Sequence, residues 1–165
     1  MKKFIALIMM LVSLVGCSCK DKPVKVKLDY EVMPNVIESS PYLYTKYLLL
    51  TKHLKSTDEY DDKIEAKDSF LLFVYSSGCY GCNLLAPAMQ PYVEENEIVI
   101  YTIEYEEISD KHDLYKAGVN TTPFLLLIEE GKIVYKELVK LPEEKSEHVN
   151  WVENWMKKHV EWSEN

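Results

Sequence analysis

Cys79 and Cys82 are the residues of this sequence with the clearest capacity for chemistry, because only two residues separate their thiols. The continuous apolar run at residues 69–76 comes just before them and predicts a strand that is buried on both faces. Residues 83–95 predict a helix directly after them. A Cys-x-x-Cys pair between a buried strand and a helix is typical of a redox site.

The two thiols are predicted to have different roles. At the start of a helix, backbone N–H groups and the helix dipole stabilise a thiolate, which favours Cys79 as the nucleophile. Cys82 follows one turn later and is placed to resolve a mixed disulfide. We therefore expect Cys79 to be the more exposed and the more acidic of the two thiols.

An inert structural disulfide and half of a zinc site are the alternative interpretations of this pair. Structural zinc takes about four ligands, and the other two cysteines, Cys17 and Cys19, lie near the N-terminus. The histidines occur singly, and we expect them on the surface rather than around a metal. They are His53, His112, His148 and His159. The sequence predicts neither a metal site nor a cofactor.

The rest of the chain alternates predicted strands and helices. Residues 42–54 predict a helix, and residues 58–68 predict a loop or a short helix. Later elements are a strand at 97–105, a helix at 109–117 ending at Gly118, strands at 124–128 and 133–138 joined by a hairpin turn at 129–132, and a helix at 143–160. The order β-α-β-α-β-β-α indicates an α/β domain.

These features resemble the thioredoxin family over about residues 66–160. The matching residues are Cys79-Tyr80-Gly81-Cys82, Pro87, Thr121-Thr122-Pro123 and Gly131, at the spacings of simple thioredoxins. The resemblance implies a thioredoxin-like fold, with a central mixed sheet flanked by helices. It implies a redox-active Cys79–Cys82 disulfide, with Thr122 and Pro87 as supporting residues. It also implies that Pro123 is a cis-proline facing the cysteines, beside which an extended substrate segment can pair.

Some residues depart from the family pattern. Gly78 stands where thioredoxins usually carry tryptophan, and Phe73 stands where they keep a buried aspartate that helps to deprotonate the resolving thiol. Glu104 stands where they place a lysine. We expect that Glu104 either replaces the missing acid, with a pKa that burial raises, or points to solvent beside Glu106 and Glu107.

The N-terminal sequence predicts export. Residues 1–16 combine a basic start, a short apolar run and a small residue before Cys17, which is the layout of a secretory signal. A retained membrane anchor is the alternative, although the run is shorter than the ~20 residues that a spanning helix needs. Leu14-Val15-Gly16-Cys17 resembles the lipobox of bacterial lipoproteins and implies that Cys17 is lipidated. Cys19 is either a second acylation point or an ordinary residue of the tether.

The predicted organisation is a signal peptide at residues 1–16, a lipidated N-terminus and tether at 17–38, and a thioredoxin-like domain at 39–165. The formal net charge is −8 and the chain contains no arginine, which argues against nucleic-acid binding. We expect an oxidoreductase that is held by its lipid outside a bacterial membrane and exchanges disulfides with exported proteins and a redox partner protein. The alternative is an accessory or binding protein with little catalysis, such as a factor for bacteriocin secretion.

Overall fold

The computed structural model describes residues 26–28, 51–96 and 98–162. The strands are β1 (Val26–Leu28), β2 (Thr51–Leu54), β3 (Phe70–Tyr75), β4 (Ile100–Glu104), β5 (Phe124–Glu129), β6 (Lys132–Leu138) and β7 (Val160–Trp162). The α-helices are α1 (Thr57–Glu65), α2 (Tyr80–Asn96), α3 (Asp113–Lys116) and α4 (His148–His159). Short 3-10 turns lie at Tyr105–Glu107 and Lys145–Glu147.

A mixed five-stranded sheet forms the centre of the domain, in the order β2-β4-β3-β5-β6. Strands β2 and β3 run parallel to β4, whereas β5 is antiparallel to β3 and to β6. Helices α2 and α4 pack on one face of the sheet, and α1 and α3 pack on the other. The expected fold class, a mixed sheet flanked by helices, is confirmed.

Strand β3 lies at the middle of this sheet, and all six of its residues are buried. Phe73 and Tyr75 belong to the core beneath α2 and α4. Leu72 and Val74 belong to the core beneath α1 and α3. Because helices cover both faces, the strand is apolar at every position instead of alternating with polar residues.

The N-terminal edge of the sheet differs from the prediction. Residues 51–54 form β2 and not the end of a helix, and the rest of the range 42–54 lies outside the described residues. Parallel pairing with β4, in which Leu54 lies opposite Ile103, overrides the helical spacing. The structure also resolves the choice between loop and helix for residues 58–68, since α1 occupies Thr57–Glu65.

The second half of the domain follows the predicted order with shorter helices. Helix α3 is a single turn, which the His112 side chain caps by accepting a hydrogen bond from the Leu114 N–H at 3.2 Å. Gly118, with a φ of 92°, ends it as expected. In the hairpin turn, Glu130 and Gly131 both have positive φ angles, 49° and 72°. A Cβ at Gly131 would collide with the Ile64 carbonyl oxygen, so only glycine fits there.

Strand β1 lies within the predicted tether, which therefore contains a strand. It pairs in parallel with β7, which follows α4 directly.

Strand β4 is shorter than the predicted range 97–105, and Glu97 lies outside the described residues. Within the described residues, no helix is long and apolar enough to cross a membrane.

Candidate active site

The loop after β3 and the first turn of α2 position the two cysteines. Cys79 immediately precedes α2, and Cys82 lies in its first turn. The Cys79 N–H donates to the Ser76 carbonyl at 3.1 Å, and the Asn83 N–H donates to the Cys79 carbonyl at 3.2 Å. The backbone of the loop and of the helix therefore holds Cys79 at the helix start.

The cysteines form a disulfide, with their Cα atoms 5.2 Å apart. Cys82 is fully buried, whereas Cys79 is partly exposed. The Cys82 N–H also donates to the Cys79 Sγ at 3.0 Å. The expected difference in exposure is confirmed, and the N–H donor is of the kind that stabilises a thiolate at Cys79. The greater acidity of Cys79 stays a prediction.

Pro123 lies against the cysteine motif. The Thr122–Pro123 peptide bond is cis, as the resemblance implied. A Cβ built on Gly81 would lie 3.1 Å from the Pro123 Cδ, so the backbone between the two cysteines packs directly on the proline ring. The Ser76 Oγ and the Thr122 Oγ1 lie 3.4 Å apart, which joins the two loops.

Pro87 lies inside α2 together with Pro91. Its side chain is partly exposed, in the second turn after Cys82.

The Val139 N–H donates to the Pro123 carbonyl at 2.9 Å, so the end of β6 is held beside the proline. The supporting roles of Pro87 and Thr122 stay predictions.

A groove of about 290 Å³ begins at Gly81 and Pro123. Its walls are mainly apolar, and Glu143 and Lys145 add charge to the lining. The Tyr80 side chain is 71% exposed although it is large and aromatic. The apolar lining residues beyond Pro123 are Tyr80, Leu84, Val139, Leu141 and Pro142. An apolar surface that includes the two residues between the cysteines suits contact with a polypeptide.

The interior behind Cys82 carries no acid at the position of Phe73. Phe73 is fully buried in the same core as Cys82, and its register partner on β4 is Thr102. Two residues further on, Tyr75 lies opposite Glu104. Side chains of β4 alternate between the two faces of the sheet. Ile100 and every second residue after it face the core that contains Cys82, while Tyr101 and Ile103 face the other core.

Glu104 thus shares the sheet face of Cys82, at the end of β4. Its side chain is partly exposed, which is neither of the two extremes expected from the sequence. Burial raises the pKa of Glu104, and the neighbouring Glu106 and Glu107 raise it further. A hydrogen bond from the Ser77 backbone lowers the pKa and partly offsets this rise. The role of Glu104 in proton transfer stays a prediction.

His53 is a residue near this region that sequence reasoning missed. It lies opposite Thr102, with its Nδ1 atom 3.4 Å from the Thr102 Oγ1, and its ring centroid lies 6.1 Å from that of Tyr75. Burial lowers the pKa of His53, and the charges of Glu59 and Glu107 partly offset this. A strand assignment for residues 51–54 would have placed it on this face.

The expectation that the histidines lie on the surface is wrong. His148 and His159 are buried, with 5% and 3% exposure, and His53 and His112 are partly buried. His148 Nε2 contacts the Pro142 carbonyl at 2.9 Å, and the His159 ring stacks on Tyr135 with centroids 4.2 Å apart. The contact with the Pro142 carbonyl offsets the cost of burying the His148 imidazole.

Metal-binding clusters are not found in the described part of the chain, where no three His, Cys, Asp or Glu side chains come together as ligands. Cys17, the predicted lipidation site, and Cys19 lie outside the described residues.

Together, the fold and the cysteine pair define a thioredoxin-fold redox protein. The family model for thioredoxin matches residues 51–154, which is more than half of the chain. The chain belongs to the thioredoxin family.

Solved structures of plant thioredoxins share the fold. Oxidised thioredoxin O1 from Arabidopsis thaliana matches with a TM-score of 0.51 and 14% identity, covering 67% of this chain and 98% of that one. Thioredoxin NaTrxh from Nicotiana alata matches with a TM-score of 0.50 and 19% identity, covering 68% of this chain and 94% of that one. At these identities the likeness concerns the fold alone. Among curated proteins, none matches the chain significantly.

Proposed function

We propose that this protein is a thiol–disulfide oxidoreductase of exported proteins, held on the outer side of a bacterial membrane by a lipid on Cys17. The observation that carries the proposal is the Cys79–Cys82 disulfide at the start of α2, with Cys79 partly exposed and Cys82 buried. Only the sulfur of Cys79 offers an incoming substrate direct access.

In the reducing direction, the Cys79 thiolate attacks one sulfur of a substrate disulfide. The substrate S–S bond breaks, and the departing sulfur leaves as a thiolate that takes a proton. Cys82 then loses its proton and attacks the Cys79 Sγ, which releases the second substrate thiol and forms the Cys79–Cys82 disulfide. Two electrons pass from the cysteine pair to the substrate, and a redox partner protein returns them. The same steps in reverse oxidise a dithiol.

The groove supports a polypeptide as the substrate. It begins beside Gly81 and Pro123, and its apolar walls extend to Leu141. The exposed ring of Tyr80 lies next to the nucleophile in sequence. A chain segment that carries the target disulfide can bury apolar side chains here, which contributes about 25 cal/mol per Å² of apolar area.

The anchoring part of the proposal rests on Leu14-Val15-Gly16-Cys17 at the end of the apolar run. Several acyl chains on one cysteine exceed what stable membrane attachment requires. Mass spectrometry of the mature N-terminus tests it, with a diacylglyceryl modification on Cys17 as the expected result. An unmodified Cys17 or a retained Met1 would contradict it.

Insulin reduction tests the chemistry, with Cys79→Ser as the inactive control. A Cys82→Ser variant should stall at the mixed disulfide and so capture the natural substrate on Cys79.

Phe73 favours a second candidate function, an accessory protein with little catalysis, because an apolar ring occupies the place of the family's buried acid. Turnover no faster than that of Cys79→Ser would support that candidate.

A further inference from the structure

Strand β1 is the part of the described chain that the proposed chemistry leaves without a role. It pairs in parallel with β7, with Val26 opposite Val160 and Leu28 opposite Trp162. The resulting two-stranded sheet is separate from the central sheet. The pairing ties the N-terminal part of the chain to the segment that follows α4.

Strand β7 lies at the end of the domain opposite the cysteines, which we term the distal pole. Helix α4 follows the groove residue Lys145 and runs for 12 residues before β7 begins. At 1.5 Å per residue, the helix is about 18 Å long. His159, its last residue, stacks on Tyr135 in the middle of β6. Through the register, Tyr135 is level with Leu71 near the start of β3, whereas the cysteines follow the end of β3. Strand β1 therefore joins the domain away from its active site.

We propose that β1 fastens the lipid-anchored segment at the distal pole, so that Cys79 faces away from the membrane. The substrates are then disulfides of polypeptides on the solvent side, and not thiols or disulfides at the membrane surface. This inference rests on the proposed lipid at Cys17 and adds to it the direction in which the site is presented.

Chain length supports this orientation. Nine peptide steps separate Cys17 from Val26. Whatever their conformation, they span at most about 30 Å. A domain of roughly 110 residues has a radius of gyration of about 13 Å and a diameter of about 34 Å. A connection of about 30 Å is no longer than the domain is wide, which favours orientations in which the pole that carries Cys79 faces away from the membrane.

Without the β1–β7 pair, the first described residue held by the domain would be Thr51. The connection from Cys17 would then have 34 peptide steps. It could extend to about 110 Å, enough to let the domain take any orientation. The pairing of three residues on each strand therefore limits the orientations that the domain can take at the bilayer.

The experiment uses the full lipoprotein in phosphatidylcholine vesicles and two probes with the same pyridyl disulfide. Cys79 and Cys82 are first reduced with dithiothreitol, which is removed before the probes are added. One probe is a short hydrophilic peptide, and the other is a phosphatidylethanolamine whose headgroup carries the disulfide. For each probe, the rate of pyridinethione release is compared between vesicles and detergent micelles. The peptide should react at similar rates in both, whereas the lipid probe should react at least about tenfold more slowly in vesicles.

A double variant, Val26→Pro with Lys27→Pro, removes two backbone donors from β1 and should release the strand. Its matched control, Val26→Ala with Lys27→Ala, keeps both donors. The proline variant should recover most of the lost rate with the lipid probe, and its rate with the peptide probe should not change. Hydrogen exchange at residues 161–162 should show lost protection in the proline variant only. The Val160 N–H donates to the Met156 carbonyl at the end of α4 and should stay protected.

The proposal would be overturned if the wild-type protein gave the same ratio of vesicle rate to micelle rate for both probes. A proline variant that behaves like its alanine control would also overturn it. Two other failures concern the proposed function and are distinguishable. A protein that does not associate with vesicles has no lipid anchor, which also removes the basis for this orientation. A protein inert toward the peptide probe is not an oxidoreductase.

Discussion

The two sides of the cysteine pair are built differently. On the side of Pro123, backbone packs on a proline ring, with a Gly81 Cβ position only 3.1 Å from the ring, as in the pattern the sequence shares with thioredoxins. On the side of Glu104, Phe73 stands at the position of the family's buried acid, and Glu104 at the end of β4 is only partly buried. The surface that we propose for substrate contact thus keeps the family pattern, while the residue at the position of the family's acid differs.

From this difference we predict that sulfur exchange and proton transfer depend on separate parts of the site. Exchange needs an accessible Cys79 and a surface on which substrate can lie, and both depend on backbone geometry near Pro123. Proton transfer needs a base near Cys82, and a side chain from a neighbouring strand can supply one. Variants on each side should therefore affect different steps.

The largest effect is expected for substitution of Cys79. Cys79→Ser removes the nucleophile, so disulfide reduction should fall by roughly 10³-fold or more. Insulin turbidity measures this, and circular dichroism checks that the variant is folded. Cys82→Ser should instead accumulate the mixed disulfide in a gel without reductant. If Cys79→Ser keeps substantial turnover, the assigned roles are wrong.

A substitution remote from both sides should affect stability without affecting either step. Gly131→Ala places a Cβ against the Ile64 carbonyl at a φ of 72°. The left-handed conformation alone costs about 1–2 kcal/mol, and the collision should bring the loss of unfolding free energy to about 2–4 kcal/mol. Urea denaturation measures it. Activity per folded molecule should match wild type, and a selective loss of activity would contradict the separation.

If Glu104 lies within a water-bridged distance of Cys82, Glu104→Gln should slow the release of the mixed disulfide by about tenfold, because Gln cannot accept the proton of Cys82. The attack by Cys79 should be nearly unchanged. In the wild type, release should accelerate as pH rises through the raised pKa of Glu104, and the variant should lack that inflection. Rapid-quench kinetics separates the two steps. The control is Glu95→Gln, at an exposed position whose charge is not among those that raise the pKa of Glu104. Wild-type release in Glu104→Gln would exclude this acid.

The same substitution has a predictable effect on stability. Burial raises the pKa of Glu104 in the fold, so the folded state holds the proton more tightly than the unfolded state does. The contribution of Glu104 to stability therefore falls as pH rises from the ordinary carboxyl range through the raised pKa. Glu104→Gln should be at least as stable as the wild type at neutral pH, and thermal unfolding at two pH values tests this.

The smallest effect is expected for Gly81→Ala. Its Cβ would lie 3.1 Å from the Pro123 Cδ, so the proline ring has to move by a few tenths of an ångström. We expect about a twofold loss of kcat/KM toward polypeptide disulfides, with stability changed by less than about 1 kcal/mol, because alanine favours the helix. Unchanged kinetics would show that the Pro123 side tolerates more displacement than this contact indicates.

The sequence by itself determined the parts of this protein whose signals are local. A continuous apolar run predicts a doubly covered strand such as β3, and the following Cys79-Tyr80-Gly81-Cys82 places a thiol pair at a helix start. Gly131 marks the hairpin because a left-handed residue is needed there. Each of these signals depends on a few neighbouring residues and needs no knowledge of the rest of the chain.

Only the tertiary structure decided the parts that depend on a distant partner. Residues 51–54 are a strand because β4 offers them hydrogen bonds, and β1 exists through its pairing with β7. Glu104 is half-buried because of what surrounds the end of β4, not because of the acidic residues beside it in sequence. Pairing and burial are sums over contacts between remote segments, and local residue patterns do not specify those contacts.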